Sequence, residues 1–167
     1  MNRREIIKGL ALSFGYAVAA PTVVSVLESC STKSETWQAV YFSKKEQHFV
    51  IYLVDIILPR TDIPGGLDVN LPQFIDMMSQ DMFPPEEKNM LKEGSEIFAG
   101  RFNEKFAKDI SESSKDEIAE LFALYFDLED EEQAKVRSMQ SKTIEETAEQ
   151  ERDSYKMYKF LFNIRSL

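Results

Sequence analysis

The chain has 167 residues, with 20 Lys+Arg against 29 Asp+Glu, a formal charge of −9. One Cys and one His exclude an intramolecular disulfide framework, a CxxC-type zinc site and a multi-histidine metal centre. The acidic balance argues against a nucleic-acid binder, because phosphate contacts need clustered Lys and Arg. A hydrophobic content of 43% and 12 Phe supply a core for one domain of ordinary size.

The amino end differs from the rest. Arg3, Arg4 and Lys8 precede Gly9 to Leu27, which contains no charged residue. A positive start followed by an apolar stretch is the layout of an export signal. Asn2-Arg3-Arg4-Glu5-Ile6-Ile7-Lys8 resembles the twin-arginine type, whose passengers cross the membrane already folded. The other reading is an uncleaved transmembrane anchor, since this stretch could just span a bilayer. Leu27-Glu28-Ser29-Cys30 resembles a lipoprotein processing box, although Glu28 departs from the usual pattern. Cys30 is thus a candidate for lipidation, against a chance free Cys beside an ordinary cleavage site. The domain plan is a signal segment at 1–30, a tether with an aromatic edge at 31–42, and a helical domain at 43–167.

Trp37, Tyr41 and Phe42 are expected to pack on the domain edge. Ser43 opens the first helix with the S-x-x-E spacing of a capping box to Glu46. Phe49, Leu53, Ile56 and Ile57 give it an apolar face, with Val50 and Val54 beside them, and Pro59 ends it. Arg60 to Asn70 reads as a loop. Leu71 to Phe83 reads as a second helix whose face is Phe74, Ile75, Met78 and Met82. Pro84-Pro85 starts a third, running to about Ile110 through Leu91, Phe98, Phe102 and Phe106, with Gly94 and Gly100 inside it. Ser114 and Glu117 repeat the capping-box spacing ahead of Ile118, Leu121, Phe122 and Tyr125. Asp127 to Glu132 is an acidic helix start, and a last helix is expected from Thr143 onward. No segment alternates with period two long enough to force a sheet. The expected fold is an all-α bundle of about five or six helices.

No nucleotide-binding Gly loop, no G-x-S-x-G and no HExxH is present. His48, early in the first helix, reads as a partly exposed helical residue and not a catalyst. The chain is therefore not expected to be an enzyme, and no resident metal or cofactor is expected.

The most specific segment is the loop, with Asp55, Leu58, Pro59, Thr61, Asp62, Pro64, Gly65, Gly66 and Asp68 leading to Phe74-Ile75-Asp76. The prolines limit φ and the glycines permit backbone that other residues resist. Thr61, Asp62 and Asp68 can satisfy loose amides or cap the next helix. The segment reads either as a well-made interhelical connection or as a rigid shape that a partner grips. A metal held by Asp62, Asp68 and Asn70 is the weakest alternative.

This pattern, D-x-(I/L)-L-P-x-T-D-x-P-G-(A/G)-x-D followed by F-I-D, resembles the gluconate 2-dehydrogenase subunit 3 family. The resemblance is carried by residues 50 to 80. It implies a small, non-catalytic subunit that escorts a large flavin-dependent dehydrogenase and supplies its twin-arginine signal. FAD is then expected in the large subunit and not in this chain. A cytochrome c subunit is a further expected partner. Cys30 with its lipobox-like lead departs from the family pattern and suggests direct membrane attachment, on the periplasmic face. Members of that family often continue into a Gly- and aromatic-rich tail, which would be expected after Leu167. Two other classes stay open. One is a free-standing periplasmic lipoprotein binding module. The other is an enzyme using Asp62, Asp68 or Asp76 as acid or base.

Overall fold

The computed structural model describes residues 37–166. The chain divides after Gln38, and the second unit begins at Ala39. Arg3, Arg4, Lys8 and Cys30 lie outside the described residues. The second unit holds six α-helices: α1 (Lys44–Ile57), α2 (Leu71–Met82), α3 (Pro85–Phe106), α4 (Lys115–Phe126), α5 (Asp130–Gln140) and α6 (Arg152–Ser166). Short 3-10 turns at Ile110–Glu112 and Glu149–Glu151 precede α4 and α6, and no strand occurs among the described residues.

Local chemistry places the helix starts. Both capping boxes form: Ser43 with Glu46 opens α1, and Ser114 with Glu117 opens α4. Asp130, Glu131 and Glu132 occupy the first turn of α5, where the helix dipole favours negative charge. The last helix begins later than its sequence suggests. Thr143 and Glu146 do make one capping contact, from the Thr143 amide to the Glu146 carboxylate at 2.9 Å. The chain there forms only turns, and α6 waits until Arg152.

The core is built by α3 and α6, the most extensively packed helix pair, with α1 laid across both α4 and α6. Phe49, Phe98, Phe102 and Phe160 are fully enclosed. The Phe49 ring centroid lies 5.8 Å from Phe98 and 6.0 Å from Phe160, in the range for favourable tilted and edge-on contacts. Gly94 allows the close approach of α3 to α6. A Cβ built there would sit 2.2 Å from the Lys156 carbonyl oxygen. The glycine that weakens α3 by propensity is therefore what lets the helix pack. Gly100 faces open space, and α3 is unbroken through both.

The buried face of α1 is Glu46, Phe49, Val50, Leu53 and Val54, while Ile56 and Ile57 are only half-buried. The face of α2 differs more. Pro72, Ile75, Asp76 and Ser79 point inward. Phe74, Met77 and Met82 are exposed. Of the expected face, Ile75 is buried and Met78 half-buried, while Phe74 and Met82 are exposed and were wrongly placed. The reason is that one carboxylate, Asp76, is buried and turns the helix around it. Among the described residues, no helix is long and apolar enough to cross a membrane.

Candidate functional site

The loop between α1 and α2 is closed by its own backbone. The Leu58 carbonyl accepts from the Gly66 amide at 2.9 Å, and the Gly66 carbonyl accepts from the Leu71 amide at 2.9 Å. This fixes where α1 stops and where α2 starts. Asp68 tightens the turn: its Oδ2 accepts from the Gly65 amide at 2.8 Å, and its Oδ1 pairs with Arg60 Nη1 at 3.0 Å. Asp68 therefore folds back on the loop and does not cap α2. That N-terminal position belongs to Asn70, held at φ 55° without a side-chain cap bond. Thr61 Oγ1 accepts weakly from the Ile63 amide at 3.4 Å, and Asp62 and Pro64 are exposed.

The glycines serve space and not unusual dihedrals. No glycine among the described residues has positive φ. Gly65 and Gly66 are buried, and a Cβ on Gly65 would lie 2.6 Å from the Arg60 nitrogen and 2.8 Å from the Pro59 carbonyl carbon. Both are backbone atoms that cannot swing aside. The expectation that φ makes these glycines necessary is corrected accordingly: two strands of backbone touch there.

Asp76 has the clearest role. Its carboxylate is 1% exposed and accepts three backbone amides. Oδ2 takes Val40 N at 2.8 Å, while Oδ1 takes Tyr41 N at 3.0 Å and Phe42 N at 2.7 Å. An ionised carboxylate facing consecutive N–H groups forms a strong, charge-assisted clasp. It fastens the segment ahead of α1 onto α2. Phe42 is buried beneath the clasp, and the Tyr41 hydroxyl donates to the Lys88 carbonyl at 2.8 Å. Burial, aided by the nearby Glu46 charge, pushes the Tyr41 hydroxyl pKa well up. The aromatic edge expected at Tyr41 and Phe42 is thus seated by an acidic residue 34 positions later.

The other motif residues separate from this cluster. Asp55 accepts from Lys115 Nζ at 2.5 Å and ties α1 to α4. Leu58 is exposed. His48 Nε2 lies 3.1 Å from the Ser113 carbonyl oxygen. The same nitrogen lies 3.1 Å from the Ser113 hydroxyl oxygen, and these contacts join α1 to the junction before α4. Sequence reading placed Glu46 in its capping box but missed its wider role. Glu46 is buried, contacts Lys92 Nζ and accepts from Ser95 Oγ at 2.6 Å. Burial pushes its pKa up, but the bonds from Lys92, Ser95 and Ser43 outweigh that and hold it low.

These arrangements consume polar groups in holding the fold. A surface depression of about 530 Å³ beside α1 and α3 includes Lys45, Glu46 and Lys92. Lys45 is paired with Asp109 at 2.7 Å and Lys92 with Glu46. Asp62, Asp68 and Asp76 do not converge on one site: Asp68 binds the loop, Asp76 binds residues 40–42, and Asp62 stands in solvent. Among the described residues, no group of three or more His, Cys, Asp or Glu could hold a metal ion.

The loop and α2 also display what the sequence motif passes over. Between residues 58 and 82, Leu58, Ile63, Leu67, Val69, Phe74, Met77 and Met82 are all exposed. Apolar periodicity alone would turn the α2 members of this set inward. Phe74, Met77 and Met78 fall on one side of the helix and Ile75, Asp76 and Ser79 on the other, while Met82 is exposed at the helix end.

The family model for gluconate 2-dehydrogenase subunit 3 matches residues 44–161. That range includes α1 to α5, the loop and most of α6. No curated protein and no solved structure matches the chain.

Proposed function

The chain belongs to the gluconate 2-dehydrogenase subunit 3 family, and from that premise we propose that it is a non-catalytic escort of a large flavin-dependent dehydrogenase subunit. The family makes it a small subunit of a dehydrogenase complex. The observation that carries the escort reading is how the motif residues are used. Asp55, Gly65, Gly66, Asp68 and Asp76 are engaged in holding helices and backbone together. A motif spent on shape suits a part that is recognised, and FAD then belongs to the large subunit.

The amino end supports an export role. Arg3, Arg4 and Lys8 ahead of an uncharged stretch supply a twin-arginine signal for both subunits, because that route carries folded, assembled cargo. The complex then resides at the periplasmic face. Cys30, with an acyl anchor, holds it at the membrane; a multiply acylated residue binds stably where a single chain does not. A cytochrome c subunit completes the electron path.

The test is to replace Arg3 and Arg4 together by Lys and follow both subunits by cell fractionation. Both should remain inside the cell. Normal export of the large subunit in that variant would sink the escort role.

A further inference from the structure

Nine large apolar side chains are exposed among the described residues, and seven of them lie between residues 58 and 82. Scattered exposed apolar residues are ordinary, whereas a concentration on one segment marks a contact surface. Val40 and Leu124 are the scattered ones. The remainder belong to the loop, at Leu58, Ile63, Leu67 and Val69, and to α2, at Phe74 and Met77 on its outer face and Met82 at its end.

We infer that this loop and the outer face of α2 are where the large dehydrogenase subunit docks, presenting an apolar patch with a cationic rim. The inference rests on the subunit reading above. Three observations carry it. The loop is pre-shaped: the Leu58–Gly66 and Gly65–Asp68 bonds and the close backbone packing at Gly65 hold its apolar residues out without further ordering on binding. Pre-organisation of that kind lowers the entropic cost of association. A socket of about 260 Å³ adjoins the loop, lined by Ile57, Leu58, Leu71 and Ile164, with Arg165 and Ser166 at one side. It suits one apolar side chain from outside, in the way interface anchors are received.

Charge selects the occupant. Between residues 58 and 82 the only cation is Arg60, which is paired with Asp68, while Asp62 and Asp81 are exposed; outside that span Arg165 borders the socket. A rim of Lys or Arg on the partner complements them. A second copy of this chain, itself at −9, and an anionic bilayer would both be repelled. The motif residues and the contact residues are then different sets. Gly65, Asp68 and Asp76 make the platform, and Ile63, Val69, Phe74 and Met77 touch the partner.

The test uses the full-length chain co-expressed with its large dehydrogenase subunit and purified through a tag on the small one. Val69→Asp combined with Met77→Asp should reduce the retained large subunit by about tenfold or more, the scale of losing an interface anchor. Leu124→Asp, exposed but elsewhere, should retain it fully. A thermal melt of each variant checks that the fold persists. A photo-crosslinking residue at position 77 of the otherwise natural chain gives a readout independent of that melt. It should join the large subunit. A complex that survives the double substitution, or a crosslink only to a second copy or to lipid, would overturn this docking face while leaving the subunit role standing. A wild-type preparation without the large subunit would overturn both.

Discussion

Asp76 gathers three amides that lie far away in sequence, so its removal has an effect that no count of its own neighbours would suggest. Asp76→Ala leaves the buried Phe42 amide without its acceptor. Losing such charge-assisted bonds is expected to cost about 2–3 kcal/mol, read by urea unfolding. An unchanged midpoint would show that the clasp contributes nothing. Glu46 makes a second test, by pH. Its folded pKa lies below its unfolded value of about 4.3. Its contribution is therefore complete above that value and disappears as pH falls through the lowered folded one. Between about pH 5 and pH 3 the melting temperature of the natural chain should fall more steeply than that of Glu46→Gln. Parallel curves would remove Glu46 from the account. Neither carboxylate shows its role in sequence, because the partners of Asp76 and the Lys92 and Ser95 contacts of Glu46 are contacts of the folded chain.

Helix α3 carries two glycines with opposite meanings. Gly94→Ala drives a methyl into the Lys156 carbonyl, and the α3–α6 pair must separate. Overpacking of this kind is expected to cost about 1–3 kcal/mol or more. Gly100→Ala meets nothing, and should gain roughly 0.5–1 kcal/mol from helix propensity alone. Differential scanning calorimetry on the two variants should show melting shifts of opposite sign. Phe98→Ala or Phe102→Ala, each fully enclosed, should cost about 3–5 kcal/mol. The Phe stripe of α3, both capping boxes and the helix-breaking prolines were legible because they are local, and local chemistry decides them. The start of α6 was not: Thr143 and Glu146 have the right spacing, yet only the capping contact forms. The buried face of α2 was not either. Hydrophobic periodicity assumes that apolar residues face inward, and here a clasped carboxylate faces inward while methionines face out.

At the scale of the whole molecule the same inversion links fold to function. A small acidic helical domain exposes apolar side chains beside a loop whose backbone cannot relax. That is a cost for a chain alone and an advantage for a subunit. The family could be read from the segment around Asp55 to Asp76, and the helical architecture from apolar periodicity and caps along the rest of the chain. The contact residues between those motif positions needed the structure, since a motif records what shapes the loop and not what the shape presents. The central claim is that this chain escorts a catalytic partner. It is tested most directly by measuring flavin-dependent dehydrogenase activity in the exported fraction of cells with and without this chain, with the large subunit expressed in both. The account expects activity outside the cytoplasm only when the chain is present. Full exported activity in its absence would contradict it.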